Sequence, residues 1–362
     1  MRASRGSFTS ACSRRLSAKA PTDSVETFPG RGRHSPPPGL PAALMVVACL
    51  RVGACSRPSG GTPPTSKSVP QATPPSPAAE AGAPAGASDP YRTARPVRAR
   101  SIGHTSYVLK VTLEGGAVAA FKPRSRRPLG DHRYKGEIAA CRLATALGLD
   151  NVPRALPRSF AADDLRAILP DFDADALVDD DGRVRGALIP WIDGYRVLPL
   201  EDATQRARWE PWLFDARATI PRDQRALAAA ISTMLAFDYL TANWDRWSGG
   251  NVAEDAASGR VLFVDNDGAF YEWPAPAALA RQRAQLQSVR RFSRAFVDAL
   301  RALDSAGMRA AIGEESPGVP LLPERSLAGV VERRATVLAI VDARIGDAGA
   351  GPTLAFDVSP AR

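Results

Sequence analysis

Residues 234–271 read MLAFDYLTANWDRWSGGNVAEDAASGRVLFVDNDGAFY. They set Asp245, Arg246 and Asn251 in a loop after an apolar helix, and Asp265 at the end of an apolar, β-rich run, Val261 to Val264. Side chains at loop edges are held by rigid elements yet reach solvent. Two spaced carboxylates and a carboxamide are what phosphoryl transfer asks for. One carboxylate orients the attacking hydroxyl, while the Asn and the other carboxylate hold the metals that neutralise the phosphates. This is the acidic half of such a site, and the cationic half has to come from upstream.

The upstream candidate is Lys122. Residues 107–113 (YVLKVTL) alternate as a strand does, residues 114–116 (EGG) form a hairpin turn, and residues 117–121 (AVAAF) make a buried return strand. Lys122 follows directly, and Pro123 ends the pairing because it has no N–H to donate. A lysine there either snorkels off the strand end or is carried into a cleft by its stem. Residues 136–147 are predicted helical, with Ile138, Cys141, Ala144 and Leu147 on one face and Gly148 and Pro153 as stops. Glu137 is then expected in the first turn, where the macrodipole favours a carboxylate. Its other reading is a partner of Lys122 that turns the ammonium toward phosphate oxygens, as the strand lysine and helix glutamate do in kinases. Residues 101–106 (SIGHTS) precede the first strand, and the backbone after Gly103 with the hydroxyls of Thr105 and Ser106 can cradle an anion. A full glycine-rich loop carries three glycines, and this one has a single glycine.

These groups need elements to hold them. Residues 184–191 (VRGALIPW), after an Asp181–Gly182 turn, read as a strand suited to a hinge between lobes, with adenine contacts expected from backbone groups around Ile189, Trp191 and Ile192. Residues 124–135 are basic and read as a solvated connection, with contact to an anionic substrate as the alternative. Residues 161–182 are acidic but are no EF-hand, since Ala176 and Gly182 stand where that loop needs Gly and Glu. From Pro221 a helix is predicted, with Leu227, Ile231, Met234 and Leu235 as its apolar stripe. Asp238 continues that stripe, so it is expected to be partly buried and to brace the loop ahead through Arg246 or backbone N–H groups. Residues 277–303 and 326–345 have the length and period of two further helices, and the last residues read as frayed.

Composition narrows the chemistry. Of 362 residues 44% are hydrophobic, ample for a buried core. Residues 1–100 carry 14 of the 47 Lys and Arg but only 4 of the 38 Asp and Glu, so the positive charge belongs to the N-terminal tail. Nucleic-acid binding by the folded part has no electrostatic support. Cys12, Cys49 and Cys55 lie in the tail, leaving Cys141 alone, and the three histidines (His34, His104, His132) are scattered. That argues against disulfides, a His- or Cys-ligated metal and a Ser-His-Asp hydrolase, and favours hard oxygen ligands.

Residues 1–56 are read as an N-terminal extension in which residues 39–54 form a signal-like apolar run. Val52, Gly53 and Ala54 before Cys55 resemble a bacterial lipobox, which implies a lipidated cysteine and a cell-envelope location; a cytoplasmic tail is the alternative. Residues 57–96 are a Pro, Ala and Ser-rich linker that cannot bury enough surface to fold, an extended tether. The remaining boundaries are an N-lobe and hinge over 97–194, a helical C-lobe over 195–348 and a tail over 349–362.

Lys122, Glu137, a hinge strand, a helix, Asp245, Asn251, a strand and Asp265 occur in the order a two-lobed kinase needs. Residues 101–305 resemble the atypical kinases related to secretory-pathway Golgi casein kinases, spore coat protein kinases and, more distantly, HipA and phosphoinositide kinases. The matching pieces are AVAAFKP (117–123), GEIAACRLATALGLDNVP (136–153), DYLTANWDRW (238–247) and FVDNDGAF (263–270). The resemblance implies an α+β, two-lobed protein-kinase-like fold with a small β-rich N-lobe and a helical C-lobe. It further implies that Lys122 contacts the phosphates of ATP, Glu137 pairs with it, Asp245 is the catalytic acid-base residue, and Asn251 and Asp265 hold Mg²⁺ or Mn²⁺. Asp267 either assists or forms the turn before Gly268. Trp247 replaces the histidine the family has after its Asp-Arg pair, and Asn251 lies one residue further from Asp245 than usual, a difference Gly249 and Gly250 can absorb. The expected function is phosphoryl transfer from ATP to a hydroxyl of a protein Ser or Thr, a glycan or a lipid. A membrane-tethered pseudokinase scaffold is the alternative from another class, and nucleotidyl transfer a third.

Overall fold

The computed structural model describes residues 89–103 and 106–357. A short helix α1 (Pro90–Thr93) leads into strands β1 (Pro96–Ser101), β2 (Leu109–Leu113) and β3 (Val118–Pro123). In β2, Leu109, Val111 and Leu113 are buried and the residues between them are not, the period of two expected of a sheet with one covered face. Helix α2 (Gly130–Ala146) follows, then β4 (Leu156–Ala161), α3 (Ala162–Ile168) and β5 (Arg183–Pro190). The strands form one antiparallel sheet in the order β1-β2-β3-β5-β4, in which Lys122 lies opposite Ala187. Its inner face and α3 bury Leu109, Val111, Phe121, Phe160, Leu165, Phe172 and Leu188 in a core of their own.

The second lobe is mainly helical. Strand β6 (Arg196–Val197) and helix α4 (Ala203–Phe214) precede the apolar helix α5 (Arg225–Thr241). Strands β7 (Val252–Glu254) and β8 (Val261–Phe263) complete a small sheet with β6. Helices α6 (Pro276–Ser288), α7 (Arg294–Ala302) and α8 (Ser305–Ile312) come next, then a hairpin of β9 (Glu314–Ser316) and β10 (Val319–Pro320). The long helix α9 (Glu324–Ala348) and the short α10 (Ala350–Thr353) end the described chain. Tyr134, Ile138, Ala139, Leu143 and Leu147 at α2 join Phe237, Phe292, Phe296, Val330 and Val337 in the core of this lobe. Helix α2 therefore packs with the C-lobe while facing the sheet of the N-lobe.

Four expectations are corrected. Helix α2 begins at Gly130, well before Gly136, so Glu137 sits mid-helix and the macrodipole is no explanation for it. The basic connection is partly that helix, and its charges are spent inside the fold: Arg124 pairs with Asp179 at 2.9 Å and Arg127 with Asp175 at 2.8 Å, both in the acidic segment. The helix expected over 277–303 is two helices, because residues around Phe292 run extended to meet the chain end: Phe292 N–H donates to the Thr353 carbonyl and Ser293 bridges Phe356. For the same reason the end is not frayed through Phe356, whose ring is 1% exposed. Among the described residues no helix is long and apolar enough to cross a membrane, and Cys55 with residues 39–54 lies outside them.

Candidate active site

Lys122 ends β3 pointing inward, 6% exposed, and its ammonium meets three carboxylates from three places in the chain. Glu137 of α2 accepts at 2.5 Å, Asp265 after β8 at 2.6 Å, and Asp267 at 3.2 Å. Burial alone would push the ammonium toward deprotonation, yet Asp265, Asp267 and Glu137 together hold it well above the ordinary lysine value. It is a fixed cation. The Glu137 oxygen that takes Lys122 also accepts the Asn266 N–H at 3.1 Å, so one carboxylate sets both the lysine and the turn that carries Asp265.

That turn is built so that successive residues reach different partners. Asp265 has φ of 56°, the left-handed region that a short polar side chain tolerates at modest cost. Its carboxylate goes to Lys122, the Asn266 amide oxygen to Arg246 at 2.7 Å, and the carboxylate of Asp267 to Lys122 and Arg133. Asp267 is 1% exposed, accepts from Arg133 and from the Ser106 hydroxyl at 2.8 Å each, and so lies inside the cluster; it does not merely shape a turn. Burial raises its pKa, but Lys122, Arg133 and Ser106 more than offset that and hold the carboxyl below the ordinary aspartate value. Two glycines permit the approach. A Cβ on Gly136 would stand 2.9 Å from the Asn266 carbonyl oxygen, and one on Gly268 would stand 2.9 Å from the Asp245 Cβ.

Arg246 is the anchor beneath. Its guanidinium pairs with the buried Asp238 of α5 at 3.0 Å and donates to the carbonyls of buried Asn251 and half-buried Val264 at 2.6 Å each. The loop before β7 and the turn after β8 are thereby tied to one helix. Asp245, half-buried in that loop, packs against Gly268, the residue after Asp267. Burial lifts its pKa above the ordinary aspartate value, Ser248 opposes the rise, and the charges of Asp265 and Asp267 add to it. Gly249 and Gly250 take φ of 94° and 83°, and the chain returns so that the Asn251 amide donates to the Asp245 carbonyl at 2.9 Å. Trp247 turns away and stacks on Trp209, with ring centroids 6.0 Å apart.

On the nucleotide-loop side, Ser106 is latched to Asp267 as described, and Thr105 and His104 lie outside the described residues. Gly103 has a steric reason to be glycine: a Cβ there would fall 2.1 Å from the Ser106 carbonyl oxygen. At the hinge, Ile189 pairs with Ala120 in the sheet and the Trp191 N–H already donates to the Val118 carbonyl at 2.9 Å, while the Lys110 ammonium covers the Trp191 ring at 3.7 Å. The Trp191 N–H is thus spent on the ladder, and of the expected adenine donors only groups beyond it, from Ile192 onward, remain. A cavity of about 1200 Å³ between the end of α2, α5 and α7 is lined by none of these site residues, so charge and geometry locate the chemistry, not cavity size.

Sequence reasoning missed Arg133 as a member of the cluster and left Asp267 open between assisting and forming the turn. The signal available was the crowding of charge in HRYKGE and DND, but which charges meet is decided by long-range packing.

The hard-oxygen donor set fits a divalent cation. Asp265 keeps a third of its side chain exposed, and the Asn251 amide oxygen accepts no hydrogen bond among the described residues, its NH₂ being turned to Asp245 and Ser248. Among the described residues no cluster of three or more His, Cys, Asp or Glu could hold an ion alone. A cation held there would draw its remaining ligands from water and from a bound ligand.

No family model and no curated protein matches the chain. Solved structures do. A Golgi casein kinase aligns with 72% of this chain and 76% of its own at 13% identity and TM-score 0.53, and the Golgi casein kinase with Mn/ADP bound aligns with 73% and 76% at 14% identity and the same TM-score. Hydra Fam20 with sugar aligns with 73% of this chain and 89% of its own at 18% identity and TM-score 0.51. At such identity the likeness is one of fold: the chain has the two-lobed, kinase-like α+β fold of these atypical kinases.

Proposed function

We propose that the chain is an ATP-dependent phosphotransferase acting on a hydroxyl acceptor. The observation that carries this reading is the meeting of Lys122 with Glu137, Asp265 and Asp267, with Asp245 packed against Gly268 just after them. Lys122 neutralises phosphate charge, Glu137 and Asp267 fix it, and Asp245 aligns the acceptor hydroxyl and takes its proton. Charge supports a metal requirement. Glu137, Asp245, Asp265 and Asp267 outnumber Lys122 and Arg133, so a bare triphosphate is repelled. Asp265 and Asn251 would hold Mg²⁺ or Mn²⁺, whose positive charge would offset that repulsion. Protein Ser or Thr, glycan and lipid hydroxyls all suit this chemistry. A tether ending in a lipidated Cys55 would place it at the cell envelope.

Incubation of the chain and its Asp245→Asn variant with α- or γ-labelled ATP and Mn²⁺ tests the reading. Label transferred from the γ position only, and lost in the variant, supports it. Transfer from the α position points to nucleotidyl transfer, and binding without transfer to any acceptor pool points to a pseudokinase scaffold.

A further inference from the structure

The helix that carries Glu137 is gripped from the C-lobe. Glu315, on β9 of the hairpin after α8, reaches back to α2 and β5, and its side chain is only 7% exposed. It accepts the Tyr134 hydroxyl and lies 3.5 Å from the Lys135 ammonium and 3.8 Å from the Arg185 guanidinium. About two turns on, Arg142 donates to the carbonyls of Ile312 and Glu314 at 2.7 and 2.9 Å. Between these two grips lies Glu137, with Gly136 seated on Asn266 and Asp267.

Tyr134, Lys135 and Arg185 present two positive charges and a hydroxyl to one buried carboxylate. Without it Tyr134 and Lys135 would lose this partner, Arg185 would be left with Asp179 at 2.5 Å, and α2 would lose a C-lobe contact two residues before Glu137. We propose that Glu315 is a positioning residue for the phosphate-binding lysine: it holds α2 in the register at which Glu137 meets Lys122, so that the lysine is set in place before nucleotide arrives. This rests on the phosphotransfer reading for its purpose, while the mechanical coupling from Glu315 to Lys122 stands on the contacts alone. Glu315 touches no substrate and is not a catalytic residue.

The test uses the full chain and its Glu315→Ala, Glu315→Gln and Glu324→Ala variants. Each is treated with an amine-acetylating reagent, and modification of Lys122 is followed by mass spectrometry. Glu324→Ala removes an exposed pair with Arg309 at the base of the same hairpin and controls for general loosening of that segment. Loss of the clasp is expected to speed Lys122 acetylation about tenfold in Glu315→Ala, less in Glu315→Gln, which keeps the acceptor for Tyr134, and not at all in Glu324→Ala. If ATP turnover is present, Glu315→Ala lowers kcat/KM for ATP and Glu315→Gln recovers part of it. Wild-type acetylation rates in both Glu315 variants, or equal acceleration by Glu324→Ala, overturn the proposal. A wild-type chain that transfers no phosphate overturns the phosphotransfer reading instead, and the acetylation rates still decide the clasp.

Discussion

Arg246 and Asp238 form an ion pair sealed inside the C-lobe, with the arginine side chain 0% exposed and the carboxylate 5%. The pair does more than satisfy two charges. The remaining guanidinium protons fasten the Asn251 and Val264 carbonyls and the Asn266 amide, so both functional loops hang from helix α5. Replacing Arg246 by Met strands Asp238, two buried acceptors and the half-buried Val264 carbonyl. Breaking a buried pair from one side costs about 3–5 kcal/mol. Chemical denaturation of Arg246→Met is expected to show a loss of that size, whereas an exposed pair such as Arg301 with Asp342 can be broken with a change of about 0–1 kcal/mol.

Gly136 and Gly346 make a contrasting pair inside helices. Nothing stands within 4 Å of a Cβ added at Gly346 in α9, so Gly346→Ala is expected to stabilise the protein by about 0.5–1 kcal/mol. At Gly136 the same methyl meets the Asn266 carbonyl oxygen at 2.9 Å. Overpacking there is expected to cost about 1–3 kcal/mol and to displace the turn bearing Asp265. Thermal denaturation of the two variants checks the opposite signs, and metal-dependent ATP binding should weaken in Gly136→Ala alone.

Asp245 carries a pH prediction. Burial and the neighbouring Asp265 and Asp267 raise its pKa above the ordinary aspartate value, about 3.9. In the proposed function the ionised form takes the proton of the acceptor, so turnover is expected to be lost as pH falls through that raised pKa and to be full above it. The acid limb of kcat is expected to lie above the range of an ordinary aspartate. A limb at or below that range would contradict the role given to Asp245.

How much of this could be read in the sequence depends on the range of the interaction. Lys122 at a strand end, Asp238 on an apolar stripe and the Asp181–Gly182 turn follow local rules of period and turn chemistry, and each lies where those rules put it. Gly136 misled for a physical reason: glycine usually marks a helix boundary, but here it marks the place where α2 touches the Asn266 backbone. Arg133, Ser106 and Asp267 come from three distant segments and meet only after the lobes are packed, so no window of sequence shows their contact. Phe356 is similar. The last residues read as frayed because no long periodic element holds them, and the burial of Phe356 depends on the extended break at Phe292.

The central claim is that Lys122 and Asp265 together take up nucleotide with a divalent cation. Calorimetric titration of ATP into the wild-type chain, Lys122→Met and Asp265→Asn, with Mn²⁺ and with chelator, tests it most directly. The account predicts wild-type binding that requires Mn²⁺ and affinity at least about tenfold weaker in each variant, a difference of about 1.4 kcal/mol. Wild-type binding that ignores the metal, or an Asp265→Asn variant that binds as tightly as wild type, would contradict it.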